Sequence, residues 1–311
     1  MKKYFIVRLL NIVITLFVIA TVTFFLMKQL PGSPFDEEKL ADLSEEQRTE
    51  FFARYGLDKP LTTQYVIYMG NLIQGDLGTS FYFKGQDVKE IIADRIGPSA
   101  LLGTQAVILG LTIGLILGII AAFKHNSIWD FTTMFIAVLG ISVPNFVFAA
   151  LLQYYVGLKL GLLPVAFWES YSSSIMPSIA LSLIVIALIA RYTRNEMLEV
   201  LGQDYMLTAK AKGVKQLKII YKHAIRNALI PVITVLGPIS VSLLTGSLVI
   251  ENIFGVPGIG SLFVDSIKVN DYTTIMGLTL FYSAFFVLTM LIIDLLYGLI
   301  DPRIRISGAK E

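Results

Sequence analysis

The side chains able to do chemistry are few and scattered. Histidine occurs only at His125 and His223, a separation with no ligand-like spacing. There is no cysteine, which excludes disulfides, thiolate metal sites and a cysteine nucleophile. No H-E-x-x-H, G-x-S-x-G or G-x-x-x-x-G-K-[ST] string occurs. Zinc-protease, serine-hydrolase and phosphate-loop chemistry therefore have no carrier here. The expectation is a non-catalytic chain with no metal site and no cofactor of its own.

Two features remain. Asp294 lies near one end of an apolar run, and an ionisable group there is a functional candidate by default. It could relay a proton. The simpler reading is a structural ion pair with Arg191 or Arg194, which the topology places at a similar depth. The second feature is the basic stretch "DYMLTAKAKGVKQLKIIYKHAIRNALIPV", 204–232, with Lys210, Lys212, Lys215, Lys218, Lys222 and Arg226. A lipid surface, a nucleic acid or a protein partner could each use such charges.

The elements that must position these groups are apolar. The chain has 311 residues, 55% hydrophobic and 15% charged, with a mean hydropathy of +0.71. That composition belongs to membrane proteins. The net charge of +2 supplies no global basic field. A helix needs about 20 apolar residues to cross ~30 Å of hydrocarbon. Six runs qualify, near 9–27, 101–123, 131–158, 171–190, 228–250 and 272–293. The first is too long for a typical signal core, and "KQLPGSPF" after it has no A-x-A pattern, so it reads as a retained span.

Lys and Arg set the orientation. Lys2, Lys3 and Arg8, the 191–227 segment, and Arg303, Arg305 and Lys310 all fall on one side of six spans. That side should be the cytoplasm, with both termini in it. The expected organisation is an N-terminal span at 1–30, an extracytoplasmic segment at 31–98, a five-helix core at 99–300 carrying the inner loop 191–227, and a tail at 301–311. The outer segment is punctuated by Pro31, Pro34, Pro60, Gly75 and Gly78. Short amphipathic helices are expected near 44–55 and 62–73, forming a small cap.

Within the spans, Gly110, Gly114 and Gly118 recur every four residues, continued by Gly103 and Ala122. Such a stripe lets a neighbouring backbone approach closely, in a bundle or a dimer. Pro144 and Pro238 should bend the third and fifth spans. The string "ENIFGVPGIG", with Glu251, Gly255, Pro257, Gly258 and Gly260, is expected to leave the helix and form a tight turn at the outer mouth.

The basic stretch reads as helix, break at Gly213, helix, with Asp204 a plausible N-cap. Lipid attraction accounts for the lysines at about 1 kcal/mol each. It does not account for "TAKAKG", small residues beside a break, where another surface can come close. A nucleic-acid role is disfavoured because only Tyr205 and Tyr221 are aromatic there.

"DYMLTAKAKG" with "HAIRNALIPV" resembles the inner loop of the permease subunits of binding-protein-dependent ABC importers, in particular the peptide/nickel permease family. The resemblance runs through "RLLNIVITLFVIATVTFFLMKQLPGSPF", "YGLDKPLTTQY", "GDLGTSF", "GSLVIENIFGVPGIGSLF" and "DLLYGLIDPRIR". "LPGSPF" and the short outer loop between spans three and four look most like the B subunits of its oligopeptide branch. The resemblance implies an all-α chain of six transmembrane helices with a type I ABC importer permease-like fold. It implies a homologous permease C subunit as partner, two cytoplasmic ATPase subunits that bind ATP and Mg, and an extracytoplasmic receptor delivering oligopeptides. It implies that the inner loop seats in an ATPase groove, with Asp204, Tyr205, Thr208, Ala209, Lys212 and Gly213 as the coupling positions. Leu207 and Thr208 replace the first Glu and Ala of the family's EAA signature, so no salt bridge is assigned there. The competing reading is a stand-alone proton- or ion-coupled carrier using Asp294; a third is a membrane-anchored assembly or sensor protein holding a partner on 204–227.

Overall fold

A computed structural model describes residues 2–30, 44–54, 56–83, 85–204, 206, 225–244 and 247–300. The described residues are helical apart from loops and one isolated bridge between Thr79 and Asp87. The helices are α1 (Lys2–Gln29), α2 (Glu45–Arg54), α3 (Leu61–Ile73), α4 (Val88–Phe123), α5 (Ile128–Ser142), α6 (Asn145–Leu152), α7 (Ile175–Leu201), α8 (Ile225–Leu244), α9 (Leu248–Phe254), α10 (Ile259–Lys268) and α11 (Tyr272–Ile300). Four helical stretches are long and apolar enough to span a bilayer: Ile6–Gln29, Val88–Phe123, Tyr171–Leu201 and Tyr272–Ile293. Counting each of two bent pairs as one span brings the number to six.

The bent pairs depart from straight spans. The third predicted span is α5 followed by α6 and a π-helical turn at Gln153–Lys159, and the two halves meet at 99°. Pro144 explains the break. It has no N–H to continue the ladder, Val143 ends α5 in an extended conformation, and the Pro144 carbonyl accepts from Val147 to start α6. Pro238, in contrast, lies inside α8. The 44° bend of the fifth span falls after Leu244, before α9 begins at Leu248.

The described chain divides into two compact units. One comprises Met1–Gly97 and Gly258–Leu288. In it the short helices α2 and α3 stand where the sequence placed them. Aromatic rings lay α3 against α1: Phe24 meets Tyr65 and Tyr68, and Phe25 stacks on Tyr65, each pair with centroids 5.4 Å apart. Val88, Ile91 and Ile92 bury against Ile259, Leu262 and Leu278.

The other unit comprises Pro98–Pro257 and Thr289–Glu311. Its centre is α7, against which α5, α6, α8 and α9 all pack. Met176, Leu181, Val185 and Ile189 of α7 are fully buried with Leu102, Ala106, Ile250 and Phe254. The outward faces stay apolar, as Phe131, Phe135 and Val138 of α5 illustrate. In water that surface would be an aggregation hazard, but in a bilayer it faces hydrocarbon.

Candidate functional site

The predicted coupling stretch begins where α7 ends. Gly202 caps the helix, its N–H reaching the carbonyls of Leu198 and Glu199. Asp204 is exposed, and Met206 donates its N–H to the Gln203 carbonyl at 3.0 Å. Met206 is fully buried, packed with Ala122 of α4 and Met197 of α7. The root of the stretch is therefore anchored in the ends of two spans. Tyr205, Thr208, Ala209, Lys212 and Gly213 lie outside the described residues.

Close to that root is an ionic cluster that sequence reading missed. Asp130, in the first turn of α5, is 3% exposed. Arg194 of α7 donates to it twice, Nε to Oδ1 at 2.5 Å and an Nη2 hydrogen to Oδ2 at 2.8 Å. The Asn126 N–H donates to Oδ2 at 3.0 Å. His125 Nδ1 is also 3.0 Å from Oδ2. The same Nδ1 lies 3.3 Å from Arg194 Nη2, so according to tautomer it either donates to the carboxylate or accepts from the guanidinium. The loop is shaped for it. Asn126 takes a left-handed φ of 59°, which suits an Asn better than most residues, and the Ser127 hydroxyl donates to the Lys124 carbonyl. A usable signal was present, "SIWD" before an apolar run, the S-x-x-D spelling of a helix start. Here the Asp reaches back to the Asn126 N–H.

Arg194 thus takes Asp130 as its partner, a carboxylate 64 positions earlier. Arg191 is exposed. Asp294 lies in α11, and its side chain is outside those described.

The glycine stripe lies against α7. A Cβ on Gly110 would fall 2.4 Å from Val185 Cβ. On Gly114 it would meet Ile189 at 2.8 Å, and on Gly118 the Ala190 carbonyl oxygen at 2.6 Å. Gly103 approaches the Leu243 carbonyl of α8 just as closely, at 2.6 Å. The neighbour that needs the missing side chains is within this chain.

The predicted outer-gate turn is shorter than expected. Helix α9 continues through Glu251 to Phe254, and α10 begins at Ile259 and includes Gly260, so only Gly255–Gly258 leaves the helix. Gly255 stops α9 with a left-handed φ of 62°. Glu251 is fully buried and accepts from the Ser99 hydroxyl at 2.8 Å. The Phe254 carbonyl accepts from the Phe167 N–H at 2.7 Å, and Gln153 Nε2 donates to the carbonyls of Val165 and Ile253 at 2.9 Å each. Glu251 and the end of α9 are thereby tied to α4, to α6's extension and to the 165–167 loop. Pro257 comes two residues after the glycine stop, and Gly258 donates its N–H to Ser261 Oγ at 3.1 Å to open α10.

Comparison with known proteins gives this arrangement a family. Residues 114–306 match the family described as binding-protein-dependent transport system inner membrane component. Residues 1–101 match its N-terminal companion. The dipeptide transport system permease protein DppB of Bacillus subtilis is 46% identical over 98% of this chain and 99% of its own length. The protein of the same name from Lactococcus lactis subsp. cremoris is 45% identical over 98% and 100%. The oligopeptide transport system permease protein OppB of Salmonella typhimurium is 42% identical over 98% and 100%. The relatives named for dipeptide transport, at 45–46%, are thus more similar to this chain than the oligopeptide relative at 42%, although the sequence motifs point to the oligopeptide branch. A chain of a methionine ABC transporter solved in inward-facing conformations shares the fold, with a TM-score of 0.57 at 16% identity, over 68% of this chain and 97% of that one. A chain of an amino acid ABC transporter does so with a TM-score of 0.52 at 17% identity, over 70% and 95%. With a matched core, a matched N-terminal region and relatives aligned end to end, the chain belongs to the binding-protein-dependent transport system inner membrane components, the multi-pass permease subunits of ABC importers with the type I fold.

Proposed function

We propose that this chain is the membrane subunit of an ATP-driven importer that takes up oligopeptides delivered by an extracytoplasmic binding protein. It forms half of the translocation path, beside a homologous permease subunit. Two ATPase subunits dock beneath and supply the energy, and both termini lie in the cytoplasm. The carrying observation is the 42–46% identity, over nearly the whole chain, to subunits named for peptide transport. The positions named for coupling are Asp204, Tyr205, Thr208, Ala209, Lys212 and Gly213. Their root, Met206, is packed into the ends of α4 and α7, so a push on the segment reaches two spans at once. Rigid-body movement of the ATPases would then alternate the path between outward and inward openings.

Reconstitution tests the reading. Proteoliposomes holding this chain, a partner permease, the ATPases and the receptor should accumulate a labelled pentapeptide only with ATP. Competition by dipeptide at equal concentration would reassign the cargo length. Uptake by this chain alone, driven by a pH gradient, would overturn the proposal in favour of a carrier using Asp294.

A further inference from the structure

We propose that the Asp130–Arg194 pair is a positioning element for energy coupling, locking the start of α5 to α7 so that movement reaching the C-terminal end of α7 carries α4, α5 and α7 together. The inference rests on the coupling role proposed above and adds residues to it.

Three observations at one end of the bundle carry it. Arg194 lies seven residues before the end of α7 at Leu201, about two helical turns from the point where the coupling segment leaves. Its guanidinium grips Asp130 through two parallel hydrogen bonds, the fork geometry that fixes orientation as well as distance. Near it, Gly118 of α4 lies against the Ala190 carbonyl and Thr193, and Met206 fills the space between Ala122 and Met197. Helices α4 and α7 are in backbone-level contact there. Among the described residues, only its loop and apolar packing that permits sliding would otherwise hold the start of α5 at this end.

Stability alone is a poor reason for the arrangement. Asp130 is almost entirely removed from solvent, and the Arg194 side chain is 19% exposed. A pair so buried gains little over apolar residues of similar volume, because both charges must be desolvated. What apolar residues do not supply is a fixed angle between α5 and α7. An ion pair with two directed bonds, a backbone N–H and a His125 contact resists rotation of one helix against the other. For a subunit that must move as a body when its partner pushes, that is the useful property.

The test uses the complete importer in proteoliposomes, with the Asp130→Leu/Arg194→Met double variant and, separately, Arg194→Lys. Four quantities are measured: melting temperature, co-purification of the ATPase subunits, receptor-stimulated ATP hydrolysis, and peptide imported per ATP. The double variant should assemble and melt near the wild type. Its peptide-to-ATP ratio should fall about five-fold or more, the size of a typical coupling term. Arg194→Lys keeps the charge but loses the fork, and should lower the ratio less while leaving assembly intact. If the double variant fails to fold, Arg194→Lys alone decides. An unchanged ratio in a well-assembled variant overturns the proposal and leaves a structural staple. A fall in transport that tracks lost assembly, with the ratio preserved, overturns it too. Failure of the wild-type importer to use ATP would overturn the coupling reading itself, a separate result from any variant's ratio.

Discussion

The Ser80 hydroxyl donates to Asp271 Oδ2 at 2.5 Å, joining residues 191 positions apart. Both side chains are fully buried. Asp271 precedes α11, and it also accepts from Thr274 Oγ1 at 2.7 Å and from the Phe81 N–H at 3.1 Å. Ser80 Oγ in turn accepts from the Phe83 N–H at 2.8 Å. The "GDLGTSF" loop is thus pinned to the start of the last span by one carboxylate. Asp271→Ala leaves several buried donors without an acceptor and should destabilise by about 2–3 kcal/mol. Ser80→Ala removes one donor and one acceptor and should cost about 1–2 kcal/mol. Thermal melts in detergent, with limited proteolysis of the 74–87 loop, check both. A wild-type melt for Asp271→Ala would show that the loop is held by other contacts.

The glycine stripe separates two kinds of glycine. Gly118→Leu places a side chain where a Cβ alone would already be 2.6 Å from the Ala190 carbonyl oxygen. Since that neighbour is backbone, the helices must move apart, and a loss of about 3 kcal/mol or of folding altogether is expected. Gly70 of α3 is the control: nothing lies within 4 Å of its added Cβ. Gly70→Ala should stabilise by about 0.5–1 kcal/mol through helix propensity and a less free unfolded chain. Melting temperatures moving in opposite directions are the expected result.

Those positions also show what could be read from one dimension. Four-residue glycine spacing marks a face, and the apolar runs mark spans, because both are properties of a single helix. The 99° fold-back at Pro144 was legible only as an interruption, since the angle depends on how α6 packs against α7. Asp130 was lost for a related reason. A carboxylate at the edge of an apolar run looks like a polar flank, and its partner stands 64 residues away. Arg194 was visible as a buried-depth cation, with Asp294 as the candidate partner, because depth is readable from topology and azimuth is not. Glu251 looked like part of a turn because Gly and Pro crowd its neighbourhood. In fact Gly255 takes the left-handed conformation and confines the turn to Gly255–Gly258, leaving Glu251 in α9.

Tyr68 of α3 supplies a pH-dependent prediction. Burial pushes its phenol up to about 12, and the nearby Tyr65 adds to the shift. Its hydroxyl has no hydrogen-bond partner among the described residues. An unfolded tyrosine ionises near 10. Between about pH 10 and pH 12 the unfolded state therefore binds fewer protons than the folded one, and stability falls as pH rises. Below that window the group contributes no pH dependence. Tyr68→Phe should melt at or slightly above the wild type at pH 7 and lose less stability from pH 10 to 11.5. Parallel melts of the two proteins check the difference; identical slopes would show that Tyr68 ionises normally in the fold.

The stretch proposed for coupling carries "TAKAKG" shortly after its root at Met206. Alanine at 209 and glycine at 213 suit a surface that must be approached closely. Ala209→Trp adds bulk where small residues alternate in the sequence, and Gly213→Pro fixes φ where the sequence pattern predicts a break. Because Met206 is already buried against α4 and α7, neither change should disturb the spans. Ala209→Trp and Gly213→Pro should insert and melt as the wild type does. Both should lose ATPase co-purification about ten-fold or more, as expected when an anchoring contact is removed from an interface. Normal co-purification and transport in both variants would remove the docking role from these residues. The Asp130–Arg194 variants should show the opposite pattern, with ATPases retained and coupling lost. Together the two sets separate seating the ATPase from transmitting its movement.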